Sequence, residues 1–137
     1  MTYQWDFAFL LHLGPLLLKG LENTAKLWVV ALCCGLAIGM VMGIFRSAPS
    51  RALRLIGTVD VEPIRNTPGL VQLIWVFYAL PILTGMQSSP WFAASVSLSL
   101  YTGAYTAEIY RAGIASIELG QWEAARALGF GSVNQMR

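Results

Sequence analysis

The sequence predicts an all-α chain that crosses a membrane several times, and three observations carry that prediction. Only 12% of the 137 residues are charged, about half the share usual in soluble domains. Charge is absent from two long runs, 19 residues from Leu27 to Phe45 and 42 residues from Asn66 to Ala107. All seven arginines fall into two groups, Arg46, Arg51, Arg54 and Arg65 between the runs and Arg111, Arg126 and Arg137 after the second.

A bilayer core about 30 Å thick takes roughly 20 helical residues per crossing. The first run therefore fits one span. The second would be about 63 Å long as a helix and fits two. A soluble chain this short could not cover 42 uncharged residues with polar surface. The arginine groups, read by the positive-inside rule, place the N-terminus outside and both groups in the cytoplasm.

Residues 3–26 mix Trp5, Phe7, Phe9, Leu10 and Leu13 with Asp6, His12, Lys19, Glu22 and Lys26. Aromatic residues beside a span favour the lipid–water boundary, so this stretch reads as an interfacial lead-in on the outer face, with residues 1–19 as an extracytoplasmic segment. His12 has no second metal-type residue near it and reads as interfacial. Asp6 stands where a cleaved signal peptide would carry a basic start, and no small-residue cleavage pattern follows.

The first span, 27–45, carries Gly35, Gly39 and Gly43, a GxxxGxxxG series. That spacing leaves one helix face bare and suits close approach by a neighbouring helix. Cys33 and Cys34 are adjacent, so they point in different directions and suit neither a mutual disulfide nor a metal pair. They read as small apolar filler.

Between the arginines, Ala52 to Ile64 alternates apolar residues with Arg54, Asp60 and Glu62. This predicts a short helix at the inner interface, disturbed by Pro63 and Pro68 at the entry to the second span. That span covers 69–85, Gln87-Ser-Ser-Pro90 forms the outer turn, and the third span covers 91–107. Both are short for a crossing, so their helices are expected to extend on the cytoplasmic side. On the third span Ser95, Ser99, Thr102 and Thr106 share one helix face. Such hydroxyls can bond a neighbouring helix, line a wet path, or bond back to their own i−4 carbonyls. Gly120 and Gly129 bracket a helical stretch too short to cross a membrane.

That last stretch carries the most specific motif. Gly120-Gln-Trp-Glu-Ala-Ala-Arg-Ala-Leu-Gly129 resembles the first half of the EAA signature of ABC importer permeases, in the form used by the polar amino acid branch. Two further blocks agree in order and spacing. Glu62-Pro-Ile-Arg65-Asn-Thr-Pro68-Gly-Leu-Val-Gln72 resembles the family's entry to its second span. Gly103-Ala-Tyr105-Thr-Ala-Glu108-Ile-Tyr-Arg111-Ala-Gly113 resembles the exit from its third. Asn66 and Pro63 depart from the usual glycine and aliphatic residue. The signature's continuation, Ile-x-Leu-Pro, and two further spans would fall beyond Arg137.

The resemblance implies an ABC transmembrane type-1 permease fold over residues 20–137, with three of five spans present. It implies inward passage of a polar amino acid across the bacterial cytoplasmic (inner) membrane. The implied partners are two ATPase subunits, a second permease of the same or a paralogous kind, and an extracytoplasmic solute-binding protein, within a lipid bilayer and without nucleic acid. The segment 120–129 would couple to the ATPase through Gly120, Glu123, Ala124, Ala125 and Gly129. Small alanines permit close helix contact there, and glycines permit bends. The chain has no GxxxxGK[ST], and no lysine follows Lys26, so ATP would bind the partner and no cofactor is expected here.

Polar groups at membrane depth are costly unless paired or wet. Asn66, Thr67, Gln72, Thr102 and Thr106 are therefore the candidates for lining the solute path. Arg65 and Glu108 flank the uncharged run; they suit a solute's charges, a structural ion pair, or snorkelling to the interface. A fragment that only occupies a partner subunit, or an ABC permease for another small solute, is an alternative reading. An embedded enzyme is not supported, since the chain has one histidine and no paired carboxylates within a span.

Overall fold

Pro15 opens the longest helix, at a position where a missing N–H costs nothing. The computed structural model describes residues 13–131. Five helical elements follow one another, with no strand among the described residues. The first, α1, spans Gly14–Ser47. At 34 residues it is about 51 Å long. No break marks the expected limit of the lead-in at residue 19. Residues 14–26 continue straight into the apolar run, aided by an i,i+4 ion pair between Glu22 and Lys26. The aromatic residues from Trp5 to Phe9, and His12, lie outside the described residues.

Helix α2 spans Arg51–Asn66 and carries Pro63 near its end. Helix α3, Gly69–Thr84, follows after a break at which the axis turns by 104°. Thr67 and Pro68 stand at the break in extended conformations. The α region is disfavoured for a residue preceding proline, which explains why α2 stops where it does. Helix α3 is not uniform. Trp75–Ala79 forms a π-helical turn in which the Leu80 N–H reaches the Trp75 carbonyl. Pro81, two residues past that turn, has no N–H to continue the ordinary ladder. Gly85 ends α3 at φ 72°, in the left-handed region open to glycine.

Ser89 caps the next helix, its hydroxyl accepting from the Phe92 N–H at 3.1 Å, and Pro90 takes the first turn. Helix α4 spans Pro90–Ala115, 26 residues, and so extends past the expected limit at 107. A short connection leads to α5, Leu119–Ala127.

Helices α1 and α4 pack along each other, and α2 folds back over their joint end. Small residues make this possible. Gly35, Gly39 and Gly43 of α1 are buried, as are Ala93, Ser95, Ser99, Gly103, Ala104, Thr106 and Ala107 of α4. The core lies where three helices meet: Val61, Ala104 and Ala107, flanked by Met42 and Ile64. Gly57 lets α2 approach α1, since a Cβ there would stand 2.8 Å from the Arg46 Cγ. Cys33 and Cys34 are free and exposed on the outer side of α1.

Among the described residues, α1 alone is long and apolar enough to cross a bilayer by itself, and α2 with α3 qualifies as one bent pair. Helix α4 is long enough, but its hydroxyls and tyrosines make it less apolar.

Candidate functional site

The glycine series of α1 faces the hydroxyl stripe of α4. A Cβ on Gly35 would meet the Thr102 Cβ at 2.6 Å, and one on Gly43 would meet the Tyr110 Cβ at 2.7 Å. Thr106 lies under Gly39 and donates its hydroxyl to the Thr102 carbonyl at 2.7 Å. Thus one hydroxyl of the stripe bonds back within its own helix, and the face as a whole seats a neighbour. Ser95 and Ser99 share a hollow with Val30, Cys34 and Ile38 of α1.

The five residues expected to line a path are therefore not brought together. Asn66, Thr67 and Gln72 sit at the bend between α2 and α3. Thr102 and Thr106 lie in the α1–α4 seam, because the four-residue spacing of the glycines matches that of the threonines. The candidates thus fall into two groups, one at the bend and one in the seam.

The bend is braced by its own polar side chains. The Gln72 amide donates to the Ile64 carbonyl and, at 3.1 Å, to the Thr67 carbonyl. The Thr67 hydroxyl donates to the Pro63 carbonyl at 2.7 Å. These bonds engage carbonyls at the end of α2, of which that of Ile64 also accepts from the Thr67 N–H at 3.4 Å. Asn66 is exposed. A cavity of about 360 Å³ opens beside the bend, lined by Ile64, Thr67, Val71, Gln72, Trp75, Val76, Ser97 and Leu100 among others. Ser97 is only 2% exposed and its hydroxyl has no hydrogen-bond partner. It was not among the expected residues, since it lies off the stripe of Ser95 and Ser99. Its only signal was that it is a third serine at alternate positions, on the opposite face of α4.

Arg65 and Glu108, which flank the uncharged run, meet each other. Arg65 Nη1 stands 3.4 Å from Glu108 Oε2, and its guanidinium lies 5.7 Å from the Tyr105 ring centre. Arg46 Nη1 reaches the same oxygen at 3.1 Å, while Arg111 Nε donates to Oε1 at 3.0 Å. Three guanidiniums from α1, α2 and α4 thus surround one carboxylate. Glu108 lies just past the expected third span. The Arg46 side chain is 9% exposed.

Helix α5 presents the opposite character. Gly120, Glu123, Ala124 and Gly129 are exposed, and Ala125 is half-buried. Trp122 turns inward to a groove shared with Met40, Ile44, Tyr110, Ile114 and Ile117. The helix ends in a Schellman motif: the Phe130 N–H reaches the Ala125 carbonyl and the Gly129 N–H the Arg126 carbonyl, with Gly129 at φ 77°.

The long apolar helix packed through glycines and the bent helix pair have the length and composition to enter a membrane. The chain matches the binding-protein-dependent transport system inner membrane component family over residues 35–137 and belongs to it. It is 39% identical to a putative glutamine transport system permease protein of Rickettsia felis, over 89% of this chain and 57% of that protein. It is 40% identical to the arginine transport system permease protein ArtQ of Bacillus subtilis, over 90% and 57% of the two chains. A crystal structure described as an amino acid ABC transporter with histidines superposes with a TM-score of 0.87 at 33% identity. That match covers 98% of this chain and 63% of the other. The chain thus spans less than two thirds of the length of these relatives.

Proposed function

We propose that this chain is part of the permease subunit of an ATP-binding-cassette importer that carries a polar amino acid into the cell. The observation that carries the reading is α5. It follows directly from a long packed helix, keeps one aromatic side chain turned inward, and leaves Glu123 and Ala124 free for a soluble partner. Relatives named as permeases for glutamine and for arginine support an amino acid as cargo. In this reading α1, α3 and α4 cross the cytoplasmic membrane with the N-terminus outside, and Arg46–Arg65 and the segment after Arg111 face the cytoplasm. Separate ATPase subunits bind ATP, a second permease completes the pore, and an outer binding protein delivers the solute.

Within that frame, Asn66, Thr67 and Gln72 are proposed to border the solute path, joined by Ser97 across the cavity. Gly120, Glu123, Ala124, Ala125 and Gly129 form the ATPase-facing segment. The test is reconstitution of the full-length permease with its ATPase and binding protein in proteoliposomes, measuring uptake across a panel of labelled amino acids. ATP-dependent accumulation of a polar amino acid is expected. Accumulation of sugars or metal ions, with no amino acid taken up, would sink the reading.

A further inference from the structure

The residues around Glu108 join two places that sequence order keeps apart. One is the bend: Arg65 precedes Asn66 and Thr67 directly, and the Gln72 amide clasps the carbonyls on either side of them, at Ile64 and Thr67. The other is the end of α4, from which α5 departs after three residues. Glu108 holds Arg65 through one oxygen and Arg111 through the other. It also holds Arg46, the buried cation at the end of α1. Tyr105, one turn before Glu108, stacks under the Arg65 guanidinium and limits its freedom further.

Arg46 and Arg65 share the same carboxylate oxygen, yet their Nε atoms are buried with no hydrogen-bond partner. Glu62 stands 3.9 Å from Arg46 Nη2 as a second, more exposed carboxylate. Glu108 is the carboxylate that all three guanidiniums share, and losing its charge would leave Arg65 and Arg111 without the ion pair that joins them. Packing also ties the bend to α4: Ile64 flanks Ala104 and Ala107, and the Tyr101 ring lies 3.4 Å from a Cβ placed on Gly69.

From this geometry we infer that Glu108 is a positioning residue for transport, linking the α2–α3 bend to the helix that carries α5. Movement of α5 by the ATPase then reaches Asn66 and Thr67 through Arg111, Glu108 and Arg65. The inference rests on the transport reading above. It deepens that reading by naming the joint between its two halves.

The experiment uses the full-length permease complex in proteoliposomes and reads ATP hydrolysed per amino acid taken up. Glu108→Gln keeps the size and removes the charge. It is expected to recover the ATPase normally, to keep hydrolysis without binding protein near the parent level, and to raise ATP spent per solute by about tenfold. Glu108→Asp should restore most of the coupling. Arg65→Gln, at a half-exposed position, tests the same link if Glu108→Gln does not assemble. It should raise the ratio in the same direction. An unchanged ratio in Arg65→Gln, or parallel loss of uptake and hydrolysis in Glu108→Gln, overturns the inference and leaves Glu108 a purely structural ion pair. Failure of the parent complex to take up any amino acid would instead remove the transport reading beneath it.

Discussion

Gly39 packs directly against Thr106 in the α1–α4 seam. A Cβ on Gly39 would stand 2.6 Å from the Thr106 Cβ and 2.8 Å from the Gly103 carbonyl oxygen. Neither contact can be relieved by turning a side chain, because a Cβ is fixed by its backbone just as a carbonyl oxygen is. Association of apolar helices in lipid depends on such close contact, since lipid tails are as apolar as the helices themselves.

Gly39→Ala should therefore destabilise the helix pair by about 1–3 kcal/mol, the usual cost of overpacking. Gly20→Ala is the control: nothing lies within 4 Å of its Cβ position. It should be neutral or gain up to about 1 kcal/mol from helix propensity. Thermal melting of both variants in detergent checks the pair. Equal melting would show that the seam yields freely at Gly39.

Ser89 offers a smaller and cleaner effect. Its hydroxyl accepts from the Phe92 N–H at the first turn of α4, beside Pro90. Ser89→Ala should cost about 1 kcal/mol, while Ser89→Asp should keep the cap. Amide hydrogen exchange at residues 91–93 is the direct readout. Unchanged protection in Ser89→Ala would mean that α4 starts without help from this side chain.

The bend invites a third substitution. Gln72→Met preserves length and removes both amide donors, leaving the Ile64 and Thr67 carbonyls without that partner. The expected loss is about 1–3 kcal/mol, with faster exchange confined to residues around 64–72. A uniform rise in exchange along α4 would show that the brace serves the whole bundle and not the bend.

These outcomes bear on how much of the structure could be read from residue order. The glycine face and the break at Pro68 were legible, because each follows from local spacing or from one residue's sterics. The continuity of α1 through residues 14–26 was not. Lys19, Glu22 and Lys26 resemble an interfacial stretch, and only the unbroken helix, with its Glu22–Lys26 pair, shows that they prolong α1. The hydroxyl stripe was visible as a face that could seat a neighbouring helix or border a path, but which helix it meets was not, and the glycine face of α1 supplies that partner. Glu108 could be seen flanking an uncharged run. Arg111 follows it at i+3 on the same helix, a spacing legible in the sequence, whereas Arg46 and Arg65 reach it only through the fold.

Orientation gives a fourth prediction. With Cys33 and Cys34 replaced, Ser88→Cys should react with an impermeant thiol reagent from outside intact cells, and Ser116→Cys only after the membrane is opened. Both sit in the connections at either end of α4. The arginine distribution requires opposite sides for them. Labelling of both from outside would remove α4 as a crossing helix.

The last prediction separates the two faces of α5. Ala124 is exposed, whereas Trp122, two residues earlier, is turned into the groove beside α1 and α4. A large ring at Ala124 would therefore meet only an incoming partner. Ala124→Trp should leave detergent stability of the full-length permease unchanged and reduce recovery of the ATPase by about tenfold or more, equivalent to about 1.4 kcal/mol of lost affinity. Trp122→Ala should do the reverse in part, lowering stability by about 3 kcal/mol or less for a half-buried aromatic side chain, while leaving the partner-facing surface chemically intact. Gly129→Ala adds a third arm. Its left-handed backbone would cost about 1–2 kcal/mol with any Cβ present, so the helix should fray at its end and weaken partner recovery only mildly. Should Ala124→Trp co-purify with the ATPase as well as the parent does, the exposed face of α5 is not where the partner binds, and the coupling segment must be sought elsewhere in the chain.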